Sequence, residues 1–200
     1  MSAPASFYFD LASPLAYLAA ERVLHALPGP AEWQPVLAAE LPDSEHFDAF
    51  RCEQERDVFL AETARRAREL GLQPLRWPEP FPFDSALAMR AATYAKSIGR
   101  VVPFAQAAFR QAFAGARNLE HIDNVLIAAA ACEMHPAAVT RGAKLRSVGE
   151  QLAEATRRAT QSNIKNIPAI VVGDAVFEGE RAIEQAAERM LADASRAAAR

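Results

Sequence analysis

The sequence predicts an α/β fold in which one mixed sheet draws strands from both ends of the chain, β-α-β … β-β-α, around a large all-helical insertion. Three observations lead there. Strand-like runs occur at Phe7-Tyr8-Phe9 and, more weakly, at 31–38, and after that return only at Ala169-Ile170-Val171-Val172 and Ala175-Val176-Phe177. The stretch between, from about residue 47 to 161, reads almost throughout as helix. Neither flanking piece can bury its apolar face alone, so the economical solution is one shared sheet. Residues 1–44 and 162–200 then form the sheet-bearing domain, and 45–161 the helical insertion.

Phe7-Tyr8-Phe9 is apolar on both faces, as in a central strand. Ser13-Pro14 supplies an N-cap residue and a proline at the first helical position. Tyr17, Ala20, Leu24 and Leu27 continue at helical spacing until Pro28-Gly29-Pro30 ends the helix; Tyr17 is expected in the core. Residues 31–38 form the second strand, and Pro35 suits a sheet edge. A helix from Glu53 stops at Gly71, and the connector Trp77 to Asp84 is rich in proline. Ser85 caps the next helix, with Leu87, Ala91, Tyr94 and Ile98 on one face and Gly99 at its end. Pro103 opens another, reaching Gly115. Ile122 to Ala129 mark a third, stopped near Pro136, and Leu145 to Ala159 a long last one. Gly173-Asp174 joins the two final strands as a tight hairpin. Ile183, Ala186, Met190 and Ala194 give an amphipathic terminal helix.

Composition narrows the function. Of 200 residues, 51% are hydrophobic, enough for a substantial core. The net charge of −3 leaves no basic excess to neutralise phosphates, so nucleic acid is not an expected partner. No apolar run spans a bilayer, and no secretory signal is read, so no membrane is expected and the cytoplasm is the expected location. Cys52 and Cys132 form no CxxC pair and are read as inert thiols. The histidines show no HxxxH or HxH spacing, so no metal is expected.

The residues FYFDLASPLAYLA, 7–19, resemble the 2-hydroxychromene-2-carboxylate isomerase and kappa-class glutathione transferase family, in the DsbA-like branch of the thioredoxin superfamily. Phe81-Pro82-Phe83-Asp84-Ser85 with Arg90 is similar to that family's FPxNS/T…R segment. Asn166-Ile167-Pro168-Ala169 stands where it has GVPT, and Phe177 to Arg181 where it has a WGxDR-like segment. The resemblance covers nearly the whole chain. It implies a thioredoxin-like sheet, a homodimer, and a reaction that uses glutathione or another low-molecular-weight thiol.

Where a redox relative carries CPxC, this chain has Ser13-Pro14-Leu15-Ala16, so dithiol exchange at this position is excluded. A helix N-terminus stabilises an anion. Plain capping accounts for Ser13 on sequence grounds alone; the resemblance implies that its hydroxyl faces a thiolate. Pro168 is read as a trans proline entering a strand or, by the resemblance, as a cis proline facing Ser13, with the exposed Ile167 backbone pairing with the thiol's peptide-like part. Asp84 stands where the family has a thiol-holding Asn, but a carboxylate only accepts, and capping explains it as well. Glu180 and Arg181 match the family's Asp-Arg pair one residue early, and also fit an acidic helix start. Asp10 is read as a solvated turn carboxylate. The departures at Asp84, Ala169 and Glu180-Arg181 all fall on the thiol pocket. The expected function is a thiol-dependent isomerase or transferase acting on a small, aromatic electrophile. The alternative is a redox-inactive protein that binds a peptide or small ligand beside Pro168. An oxidoreductase working through Cys52 or Cys132 is the least supported class.

Overall fold

The computed structural model describes residues 5–43 and 50–198. Strand β1 (Ala5–Phe9) leads through a four-residue loop into α1 (Pro14–Ala20) and α2 (Val23–Ala26), then β2 (Ala31–Pro35). The helical block is α3 (Glu53–Glu69), α4 (Ala86–Ser97), α5 (Val101–Phe113), α6 (Ile122–Ala130), α7 (Pro136–Lys144) and α8 (Arg146–Gln161). The hairpin β3 (Ala169–Val172) and β4 (Ala175–Glu178) and the helix α9 (Ala182–Ala198) complete the fold.

The sheet order is β2-β1-β3-β4. β1 runs parallel to β2, with Phe7 opposite Trp33, and antiparallel to β3, with Phe7 opposite Ile170. β1 is therefore central, as its apolar run predicts. Phe7 and Phe9 are fully buried, and the Trp33 indole meets both edge-on at 4.9 and 5.6 Å. Phe109 of α5 closes on Phe9, and Tyr17 stacks on Phe113 at 5.8 Å, in the core as expected. The hairpin turns at Gly173, whose φ of 64° is the left-handed conformation a tight turn needs.

Three expectations are corrected. The first helix is two helices, α1 and α2, broken at Glu21-Arg22. At the break Glu21 accepts two hydrogen bonds from Arg110 of α5, and Arg22 pairs with Glu184 of α9 at 2.5 Å. The second strand ends at Pro35 rather than at 38: its partner β1 ends at Phe9, whose carbonyl takes the Val36 N–H as the last rung. β2 is nevertheless an edge strand, as Pro35 predicts. Pro136 begins a helix rather than merely ending one. It is the first residue of α7, capped by His135, whose Nδ1 accepts the Ala137 N–H.

Candidate active site at the start of the first helix

The site grows from the end of β1. The central strand delivers Asp10 to the sheet's C-terminal edge, and Ser13 N–H donates to the Asp10 carbonyl at 3.0 Å, closing a tight loop. Ser13 then caps α1: its Oγ accepts the Ala16 N–H at 3.1 Å. Ser13 is 1% exposed. Among the described residues its hydroxyl donates to no protein acceptor, so its proton is unspent.

Asp10 is the residue that sequence reasoning misread. It is 1% exposed, not solvated. Its Oδ1 accepts the Ala12 N–H, and its Oδ2 accepts the Ala38 N–H and the Ser85 hydroxyl, all at 2.9 Å. Burial pushes its pKa up to about 6, against the lowering effect of those three hydrogen bonds; the Asp84 carboxylate pushes the same way as burial. Ser85 is corrected too. It occupies the N-cap position of α4 but makes no side-chain cap bond, because its hydroxyl is turned to Asp10. Asp84 does the capping, with Oδ1 accepting the Ala86 N–H at 2.8 Å, while Glu120 accepts the Asp84 N–H.

The Ile167–Pro168 bond is cis. Ile167 is buried, at 3% exposure, and its N–H donates to Asn166 Oδ1 at 2.7 Å. The N–H groups of Lys165 and Asn166 both donate to Glu178 Oε1. The expectation of an exposed Ile167 backbone is therefore corrected: side chains already occupy the donors on this loop.

Clefts sort the remaining residues. Pro168 lines a narrow cleft of about 30 Å³ with Leu15, Leu18, Arg66, Ile170 and Glu180. Asp84 lines another, of about 460 Å³, with Asp10, Ala12, Ser85, Glu40 and Glu120. Ser13 itself lines neither; its chain neighbours Ala12 and Leu15 line the second and the first respectively. Thus Pro168 and Glu180 come together, Asp84 sits apart, and Arg181 is exposed and lines neither. Arg90 lines neither of these clefts; it donates to the Ala143 and Leu145 carbonyls at the end of α7. A larger polar cleft of about 620 Å³ lies elsewhere, lined by Tyr8, Gln34, Lys96 and Arg158, and holds none of these residues. Arg66, which forms an ion pair with Glu180, was missed by the sequence reading. It stands in the charged run Arg65-Arg66, and only the fold distinguishes it from its neighbours.

Among the described residues no His, Cys, Asp or Glu group could hold a metal ion, and no helix is long and apolar enough to cross a membrane. Cys52 is exposed and Cys132 buried, and both are free. Burial pushes the Cys132 thiol up, away from the thiolate a redox centre needs.

Comparison with known proteins agrees with this architecture. Over 98% of this chain and 97% of that one, the fold superposes on a 2-hydroxychromene-2-carboxylate isomerase with a TM-score of 0.80 at 17% identity. A probable DsbA oxidoreductase from Streptomyces coelicolor is similar at TM-score 0.75 and 16% identity, over 96% of this chain and 90% of that one. The cytosolic disulfide reductase DsbM from Pseudomonas aeruginosa, solved with GSH, is similar at TM-score 0.66 and 12% identity, over 96% and 98% of the two chains. No curated protein matches the chain. At these identities the structural likeness establishes the fold alone. The model of the DSBA-like thioredoxin domain matches residues 6–191, nearly the whole chain, and the protein belongs to that DSBA-like thioredoxin family.

Proposed function

We propose that the protein is a thiol-dependent isomerase or transferase acting on a small, aromatic electrophile, with Ser13 as the residue that meets the thiol. The observation that carries this reading is the pairing of a sulfur-free helix start, Ser13-Pro14-Leu15-Ala16, with a cis proline, Pro168, that shares a cleft with Leu15. A dithiol oxidoreductase needs two sulfurs there.

The residues present fit a small thiol. Ser13 accepts one hydrogen bond and keeps its proton, so it has a donor to offer a sulfur anion. The start of α1 adds a partial positive charge. Leu15, Leu18 and Ile170 keep the cleft apolar, which strengthens both effects by excluding water. Arg66 places a cation on the cleft wall, suited to a carboxylate of the thiol. A bound thiolate supplies reversible addition to a conjugated carbon, or displacement at an electrophilic one. The chain's contribution is to position that sulfur and to lower the pKa of its proton.

Peptide recognition beside Pro168 is less well supported. Strand pairing needs free backbone donors, and Asn166 and Glu178 already take those of residues 165–167.

The test is calorimetric titration of the full chain with glutathione and with cysteine, followed by an absorbance assay of cis–trans isomerisation of an α,β-unsaturated aromatic carbonyl compound. Wild type should bind one of the thiols, and Ser13→Ala should bind it about tenfold more weakly, the loss of one charge-assisted hydrogen bond. Equal binding by wild type and Ser13→Ala would refute the assignment.

A further inference from the structure

The cleft beside Pro168 adjoins a second one, of about 340 Å³, lined by Glu55, Val58, Phe59, Glu62 and Thr63 of α3. The two share three residues: Leu15, Arg66 and Glu180. The inner cleft, at about 30 Å³, holds little more than one water-sized group. At the join, Arg66 donates to the Glu180 carboxylate, and also to the Glu180 carbonyl at 2.9 Å. This contact ties α3 to the turn after β4.

Arg66 is the cation best placed to change partners. Arg22, the other arginine on the inner wall, is committed to Glu184 on α9. Glu62 pairs with Arg65 on α3's own surface, and Glu55 with Arg51 just before that helix. Glu180 is about half exposed (53%), so its pair with Arg66 is screened and weakly held. A guanidinium takes a carboxylate through two parallel hydrogen bonds, which a ligand carboxylate could supply as well as Glu180 does.

We propose that the two clefts are one ligand groove closed at its waist by Arg66 and Glu180, and that Arg66 binds a carboxylate of the ligand in exchange for Glu180. This rests on the thiol reading for the sulfur end of the groove. It reverses the role expected for Glu180: the carboxylate competes with the ligand rather than holding it. The rest of the ligand then lies along the apolar side chains Leu15, Val58 and Phe59.

The experiment is calorimetric titration of the full chain and its variants with glutathione, S-methylglutathione, glutathione diethyl ester and 4-hydroxycinnamate. Glu180→Gln should bind the free carboxylates about fivefold more tightly, and Arg66→Gln about tenfold more weakly, with Arg66→Lys between wild type and Arg66→Gln. The diethyl ester should not distinguish wild type from either variant. Should Arg66→Gln fail to fold, Glu180→Gln and Arg66→Lys decide. The proposal is overturned if Glu180→Gln binds no better than wild type, if the ester loses affinity alongside the acids, or if no probe binds either protein at about 10 mM. The thiol reading fails separately: S-methylglutathione then binds as well as glutathione and Ser13→Ala alters neither, while the Arg66 and Glu180 effects persist.

Discussion

Asp10 gathers donors from three separate parts of the chain: Ala12 in the Ser13 loop, Ala38 after β2 and Ser85 at the start of α4. Its buried carboxyl holds a proton up to about pH 6, against an ordinary value of 3.8. Between those values the folded chain binds more protons at this site than the unfolded chain does. Stability from neutral Asp10 is therefore fully present below about pH 4 and is lost as pH rises through 6, by about 3 kcal/mol at most. Urea unfolding from pH 4 to 7 should show wild type losing about 2–3 kcal/mol relative to Asp10→Asn. A difference that stays constant with pH would show that Asp10 titrates normally. None of this was legible at position 10. The string FYFD shows a carboxylate at the end of a strand, whereas Ala38 and Ser85, which bury it, lie 28 and 75 residues further on. Ser13 was legible because its evidence is local: a cap, a proline and a helical run within a few residues.

At the level of elements, the helical block is held by close approaches that a single sequence does not reveal. α7 lies against α4 at Gly142, where a Cβ would stand 2.4 Å from the Tyr94 ring. A ring fixed between two helices cannot yield that much. Gly142→Ala should cost about 1–3 kcal/mol, read as a lowered melting temperature, and an unchanged melting temperature would show that the helices are free to part. Arg90 fastens the same corner by capping the α7 carbonyls, and Gly149 leaves room for its guanidinium: a Cβ there would be 2.2 Å from Arg90 Nη1. The sequence does give helix identity, since periodic apolar faces and glycine stops mark most of these segments. It hides the α1–α2 break, where the Glu21 and Arg22 side chains are held by α5 and α9.

For the whole molecule, the sequence predicts the order of strands along the chain and one sheet shared by both ends, with β1 inside it, because apolar runs at both ends need each other. β1 has β2 on one side and β3 on the other, some 160 residues downstream. A chain stopped at Gln161 lacks β3, β4 and α9, leaving Phe7 and its neighbours without the strand opposite. Such a chain should lose the cooperative thermal transition seen by circular dichroism, and a sharp transition near that of the full chain would contradict this. Replacing both cysteines, Cys52→Ser with Cys132→Ala, should leave thiol binding and isomerisation within about twofold of wild type, since no sulfur chemistry is assigned to either; a tenfold loss would return redox chemistry to the protein. The topology bears on synthesis as well. On the ribosome β1 emerges well before its antiparallel neighbour β3, which follows only after the entire helical block. While the helical block is made, one edge of β1 stands unpaired, a template for wrong partners. The nascent protein should therefore depend on holdase chaperones until β3 and β4 are made, and the helices between, which pack through contacts among themselves, give the wait a compact form.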